Sequence, residues 1–125
     1  TKRSILADRA DRKRSDVAEY IPDAGEIVWL EFSPQAGHEQ AGHRPAVVLS
    51  PAAYNRFGLM LCCPLTTKRK GYPFEVPIND DRQSAVLDDQ VKSLDWRARN
   101  AKSKSRISDT ELAAVRAKAK ALIGR

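Results

Sequence analysis

In EIVWLEF, residues 26–32, the side chains alternate: Val28, Leu30 and Phe32 fall on one face, Ile27, Trp29 and Glu31 on the other. A period of two predicts a half-buried strand. PAVVLS (45–50) and LMLCCPL (59–65) are short apolar runs that read as buried strands. FEVPI alternates again, with Phe74, Val76 and Ile78 on one side. Pro77 has no N–H to give to a ladder, which assigns that strand to an edge or a bulge. Two further short strands are expected around SAVL (84–87) and QVKSL (90–94). Between them lie turns and loops: IPDAGE (21–26), built on Pro22, Asp23 and Gly25; GHEQAGHRP (37–45); SPAAYNRFG (50–58); and the basic TTKRKGYP (66–73).

A period of 3.6 appears near the C-terminus. Leu112, Val115, Ala119, Leu122 and Ile123 recur at helical spacing, Ser108 and Glu111 fit a capping box, and Gly124 can close the end. Many short strands and one helix predict a mainly β domain with a C-terminal α-helix, built as a small curved antiparallel sheet or barrel. Residues 1–19 stand apart. They hold six basic and four acidic residues, and Ile5, Leu6 and Val17 make no helical stripe. The expectation is a flexible, solvated extension followed by one domain over 20–125.

Composition sharpens this picture at two points. The 125 residues carry a net charge of +6, which points toward an acidic partner, nucleic acid being the commonest. Cys62 and Cys63 are adjacent, so on a strand they face opposite sides and do not pair. That usage fits a reducing, cytoplasmic setting. No apolar run is long enough to span a bilayer, and no signal peptide is visible.

The chemistry concentrates in GHEQAGHRP. His38 and His43 are the only histidines, and no Cys-x-x-Cys spacing accompanies them, so a metal site is not expected. Without a metal, the loop holds parts suited to cutting RNA. Arg44 offers a planar fork of donors matched to phosphate. Glu39 can take a proton, and His43 can take or give one, unless it only packs beside Arg44. Gln40 can read a base edge or hold a sugar hydroxyl. When a 2′-hydroxyl attacks its own phosphorus, a base, a cation and an acid are each needed.

The segments YIPDAGEIVWLEF, EQAGHRPAVVLSP, CCPLTTKRKGYPFEV and DQVKSLDWRAR resemble the MazF/PemK family of toxin ribonucleases, and most closely its Escherichia-type MazF branch. The resemblance runs from about residue 20 to 124. It implies a homodimer of SH3-like (CcdB/PemK-like) barrels and a sequence-specific, metal-independent endoribonuclease of a type II toxin–antitoxin system. Such an enzyme leaves 2′,3′-cyclic phosphate and 5′-hydroxyl ends on single-stranded RNA, needs no cofactor, and is neutralised by an acidic antitoxin of the MazE type. The resemblance also implies functional roles for Arg44, Thr66 and Glu39, and places Gln90 near the substrate groove. It does not extend to residues 1–19, whose net positive charge does not suit a fused inhibitory tail.

Around these positions Thr67, Lys68, Arg69 and Lys70, then Lys92, Arg97, Arg99, Lys102 and Lys104, are expected to form a basic track for a single strand. Tyr72, Trp29 and Trp96 are candidates for stacking on bases, although a tryptophan on an alternating strand also suits a core or a dimer contact. Two other functions fit the same fold: a toxin that poisons DNA gyrase, and a nucleic-acid-binding autoregulator without catalysis. Glu39, Arg44 and Thr66 together favour the ribonuclease over gyrase poisoning, which has no need of them.

Overall fold

A computed structural model describes residues 19–32 and 42–124, the side chain of Phe32 excepted. The expectations for residues 1–18, for Glu39 and for Gln40 lie outside the described residues. The elements are β1 (Glu26–Phe32), β2 (Gly42–Val48), the short α1 (Ala52–Asn55), β3 (Leu59–Thr66), β4 (Glu75–Pro77), β5 (Ala85–Leu87), β6 (Lys92–Asp95), β7 (Lys102–Arg106) and α2 (Asp109–Ile123).

The strands form an antiparallel sheet in the order β4-β5-β3-β2-β1-β7. β3 is long enough to serve three neighbours. One edge pairs with β2 through Ala46–Pro64, Val47–Cys63 and Val48–Cys62. The other edge takes β6 along Leu59–Cys62 and β5 at Leu65 and Thr66. Among the described residues the path does not close on itself, so the expected barrel is an open sheet. Both ends are unsuited to further pairing. β4 is three residues long and ends in Pro77, as anticipated, and β7 carries Lys102, Lys104 and Arg106.

The sheet is covered on both faces. Ile27, Val47, Cys63, Val76, Ile78 and Val86 pack against Leu112 and Val115 of α2. On the opposite face Val28, Leu30, Ala46, Val48, Met60 and Cys62 pack with the indole of Trp96, flanked by Tyr20, Ile21 and Leu94. β1 is therefore buried on both faces over Ile27, Val28 and Leu30, not half-buried as its alternation suggested. Cys62 and Cys63 do go to opposite sides and remain free thiols.

Asn55 joins the pieces beneath Trp96. It is fully buried, donates to the carbonyls of Pro22 at 2.7 Å and Ser50 at 2.9 Å, and accepts from the Ser50 hydroxyl at 2.5 Å. The indole N–H of Trp96 donates to the Asn55 carbonyl at 2.7 Å. The helix begins as its sequence requires. Ser108 accepts from the Glu111 N–H at 3.0 Å, and the Glu111 carboxylate accepts from the Ser108 N–H at 2.9 Å. Its last expected core residues are not core: Leu122 and Ile123 are exposed.

Two further expectations are corrected. β2 starts at Gly42, so His43 and Arg44 lie on a strand and not on a loop. Gly42 takes a φ of +105°, in the region that favours glycine, and this lets the chain enter the strand directly ahead of them. β7 was not expected at all, because KSKSR has no apolar residue to mark it.

Candidate active site

The register decides which side chains meet. On β2, Arg44, Ala46 and Val48 share one face, and His43, Pro45 and Val47 share the other. On β3, Cys62, Pro64 and Thr66 fall on the Arg44 side, since Ala46 lies opposite Pro64 and Val48 opposite Cys62. β6 brings Lys92 opposite Cys62 on that same side. The result is an open groove of about 820 Å³ with Arg44, Thr66, Gln90, Lys92 and Arg99 around it and Leu30, Ala46, Cys62 and Pro64 among its lining. Arg44, Gln90 and Lys92 are exposed, and Thr66 is half-buried at the end of its strand.

Four sequence-assigned residues, Arg44, Thr66, Gln90 and Lys92, are thus brought to one concavity from three separate stretches of chain. The Thr66 Oγ1 accepts the backbone N–H of Lys68 at 3.1 Å, which fixes the oxygen and leaves its proton to be donated outward. Arg99, from the turn after β6, adds a third cation; its guanidinium donates to the Glu31 carbonyl at 3.4 Å. Cys62 contributes no nucleophile, because burial pushes its thiol up to about 11.

His43 is not among the residues that line the groove. Its Nε2 lies 3.4 Å from the Glu31 carboxylate, directly across the β1–β2 ladder. The side-chain amide of Asn100 donates to the other Glu31 oxygen at 2.8 Å. These bonds, Asn100 first and His43 second, hold the Glu31 carboxyl below its ordinary range. Glu31 and Asn100 were not among the candidate residues named from the sequence. The signal was the register itself: once β2 extends back to Gly42, His43 must face Glu31.

The loop after β3 divides by role. Thr67, Lys68, Lys70 and Tyr72 are exposed and stand outside the groove lining. Tyr72 packs edge-on against Phe74, and its hydroxyl donates to Asp89 at 3.3 Å. The Lys70 N–H donates to the Glu75 carboxylate at 3.0 Å, which anchors the loop base. Arg69 does not join a basic track, because its guanidinium donates to the carbonyls of Ile78 at 2.9 Å and Ser84 at 3.0 Å. Arg97 is likewise engaged, paired with Glu19 at 2.7 Å and stacked over Trp96. Trp96 is buried in the core and offers no surface for stacking.

Comparison with known proteins gives the same direction at every level. The family model described as PemK-like, MazF-like toxin of type II toxin–antitoxin system matches residues 23–123. The chain is 52% identical over 110 residues to the endoribonuclease toxin MazF of Escherichia coli K12, covering 86% of this chain and 99% of that protein. It is 40% identical over 87 residues to the endoribonuclease toxin ChpB of the same strain, covering 64% and 75%. Among solved structures, a MazE–MazF crystal structure from Deinococcus radiodurans superposes with a TM-score of 0.80 at 53% identity, covering 85% of this chain and 98% of that one. A mycobacterial endoribonuclease solved with its cognate antitoxin shares the fold alone, at 18% identity and a TM-score of 0.65. The chain belongs to the PemK-like, MazF-like toxin family of type II toxin–antitoxin systems.

Proposed function

We propose that the groove between β2, β3 and β6 binds single-stranded RNA and cleaves it by attack of a 2′-hydroxyl on the adjacent phosphorus. The observation that carries this reading is the convergence of Arg44 and Thr66, from different strands, on one groove that also holds Gln90 and Lys92. Arg44 presents a fixed plane of donors to the non-bridging oxygens as charge builds on the phosphorane. Thr66, its oxygen already held by the Lys68 N–H, donates its proton to one of those oxygens. Gln90 and Lys92 position the strand, the amide through base or sugar groups and the ammonium through a phosphate. The 2′-hydroxyl proton needs a base, for which the sequence offers Glu39 and His43, and departure of the 5′-oxygen needs an acid in turn. The products are a 2′,3′-cyclic phosphate and a free 5′-hydroxyl.

The relatives support the same class. MazF and ChpB of Escherichia coli are named endoribonuclease toxins, and MazF of Deinococcus radiodurans is solved as a MazE–MazF complex. By extension this chain acts as a homodimer in the bacterial cytoplasm, and an acidic antitoxin covers its basic groove. No helix among the described residues is long and apolar enough to cross a membrane. The test is direct. Incubated with single-stranded RNA in EDTA, the protein should give discrete fragments with cyclic phosphate ends. Intact RNA, or loss of cutting on chelation, would overturn the reading.

A further inference from the structure

Behind the groove the sheet has a second, much smaller hollow of about 20 Å³. It shares Pro45, Leu65 and Thr66 with the groove, and its further lining includes Trp29, Asp80, Arg82 and Lys104. The two concavities therefore meet at Thr66, one on each side of the β2–β3 pair. The hollow exists because α2 covers only part of its face. Ile27, Val47 and Cys63 lie in the core that packs against the helix, whereas Trp29, one side-chain repeat further along β1, is half-buried and lines open space. Of the two tryptophans this is the one not sealed in the core. The Lys104 ammonium sits 5.6 Å from the indole centroid and 3.6 Å from Asp81.

We propose that Trp29 is a stacking subsite for one nucleotide of the bound RNA, with Lys104 and Arg82 taking the phosphate beside it. This rests on the endoribonuclease reading above. A strand with its scissile phosphate at Thr66 must continue in two directions. One leads along Arg44, Gln90 and Lys92; the other crosses the shared rim into the hollow and meets the indole. A half-buried ring with adjacent cations is the pattern by which single strands are held without reading base identity, since every base has a π-face. Trp29 lies opposite Pro45 in the β1–β2 ladder, on the face away from Arg44, and is not itself part of the groove lining, so its contribution is to affinity and reach, not to the chemical step.

The experiment uses a short oligoribonucleotide spanning a mapped cleavage site, made uncleavable by a 2′-deoxy substitution at the attacking sugar, and a series with one abasic position each. Affinity is read by fluorescence anisotropy for the full chain and for Trp29→Ala. One abasic position, on a single side of the scissile bond, should weaken binding by the unaltered chain about tenfold. That same position should cost the variant less than twofold, with its overall affinity already reduced by a similar factor. Trp29→Leu keeps an apolar side chain without a π-face and carries the test if the alanine variant does not fold. An identical abasic profile in the unaltered and variant chains, in a protein that binds and cleaves RNA, overturns the subsite alone. An unaltered chain that neither binds nor cleaves any RNA overturns the endoribonuclease reading, and the subsite with it.

Discussion

Arg44 and His43 are neighbours in sequence and strangers in space. One residue of strand separates two faces, so the guanidinium enters the groove while the imidazole faces Glu31. Arg44 is exposed and supports no part of the core. Arg44→Ala should therefore leave the thermal melting curve within about a degree while removing RNA cleavage. A folded variant with near-normal cutting would show that the phosphorane is stabilised elsewhere. Thr66→Ala should slow cleavage about ten- to a thousand-fold, the range for losing one transition-state donor. KM should move much less, because the hydroxyl matters most once charge has developed. Equal losses in KM and kcat would recast Thr66 as a binding residue. Arg44 stood out in the sequence by its chemistry and family setting, and the structure places it in the groove with Thr66. The Glu31–His43–Asn100 arrangement was not, because it depends on which residues of two strands lie opposite each other.

Elements marked by a period of two or 3.6 were legible, and those without apolar markers were not. β1, β3 and the edge strand with Pro77 followed from their patterns, and α2 from its stripe and its cap. The polar entry to β2 and all of β7 went unseen because their ladders are held by backbone bonds and their side chains face water. The end of α2 erred the other way: helical spacing continues to Ile123, but burial stops at Ala119. The cap of that helix has a measurable value. Both bonds of the capping box are made, so Ser108→Ala should destabilise the protein by about 1 kcal/mol in chemical denaturation. No change in midpoint would mean that packing against the sheet alone holds the first turn. Cleavage should be unaffected, since α2 lies on the opposite face of the sheet from the groove.

Among the described residues, one buried polar group works against the stability of the molecule. Asp88 is fully buried, its Oδ2 has no hydrogen-bond partner among the described residues, and its other oxygen meets only the Cys63 thiol at 3.9 Å. Burial pushes its pKa up to about 6, against the attraction of Lys118 on α2 and with added repulsion from Asp89. A carboxyl whose pKa is higher in the folded state binds its proton more tightly there. Its favourable contribution is complete below the unfolded value of 3.8 and is lost as pH rises through about 6. Asp88→Asn should therefore raise stability at pH 7.5, have little effect at pH 4, and flatten the stability profile between them. Denaturant midpoints at four pH values would check this, and an unchanged slope between pH 4 and 6 would place the unfavourable charge elsewhere.

The sheet order also governs when the protein becomes dangerous to the cell that makes it. β1 needs β7 as its outer neighbour, and the groove needs Gln90, Lys92 and Arg99 to face Arg44, which lies far earlier in the chain. Those long-range pairings cannot form on a ribosome until most of the chain has left the exit tunnel, and they are intrinsically slow to form. A nascent or truncated chain ending before residue 85 holds Arg44 and Thr66 without the wall that completes their site. With the proposed site in the groove, activity arrives late, after synthesis, and this leaves an interval in which an inhibitor already present can meet each new molecule as it folds.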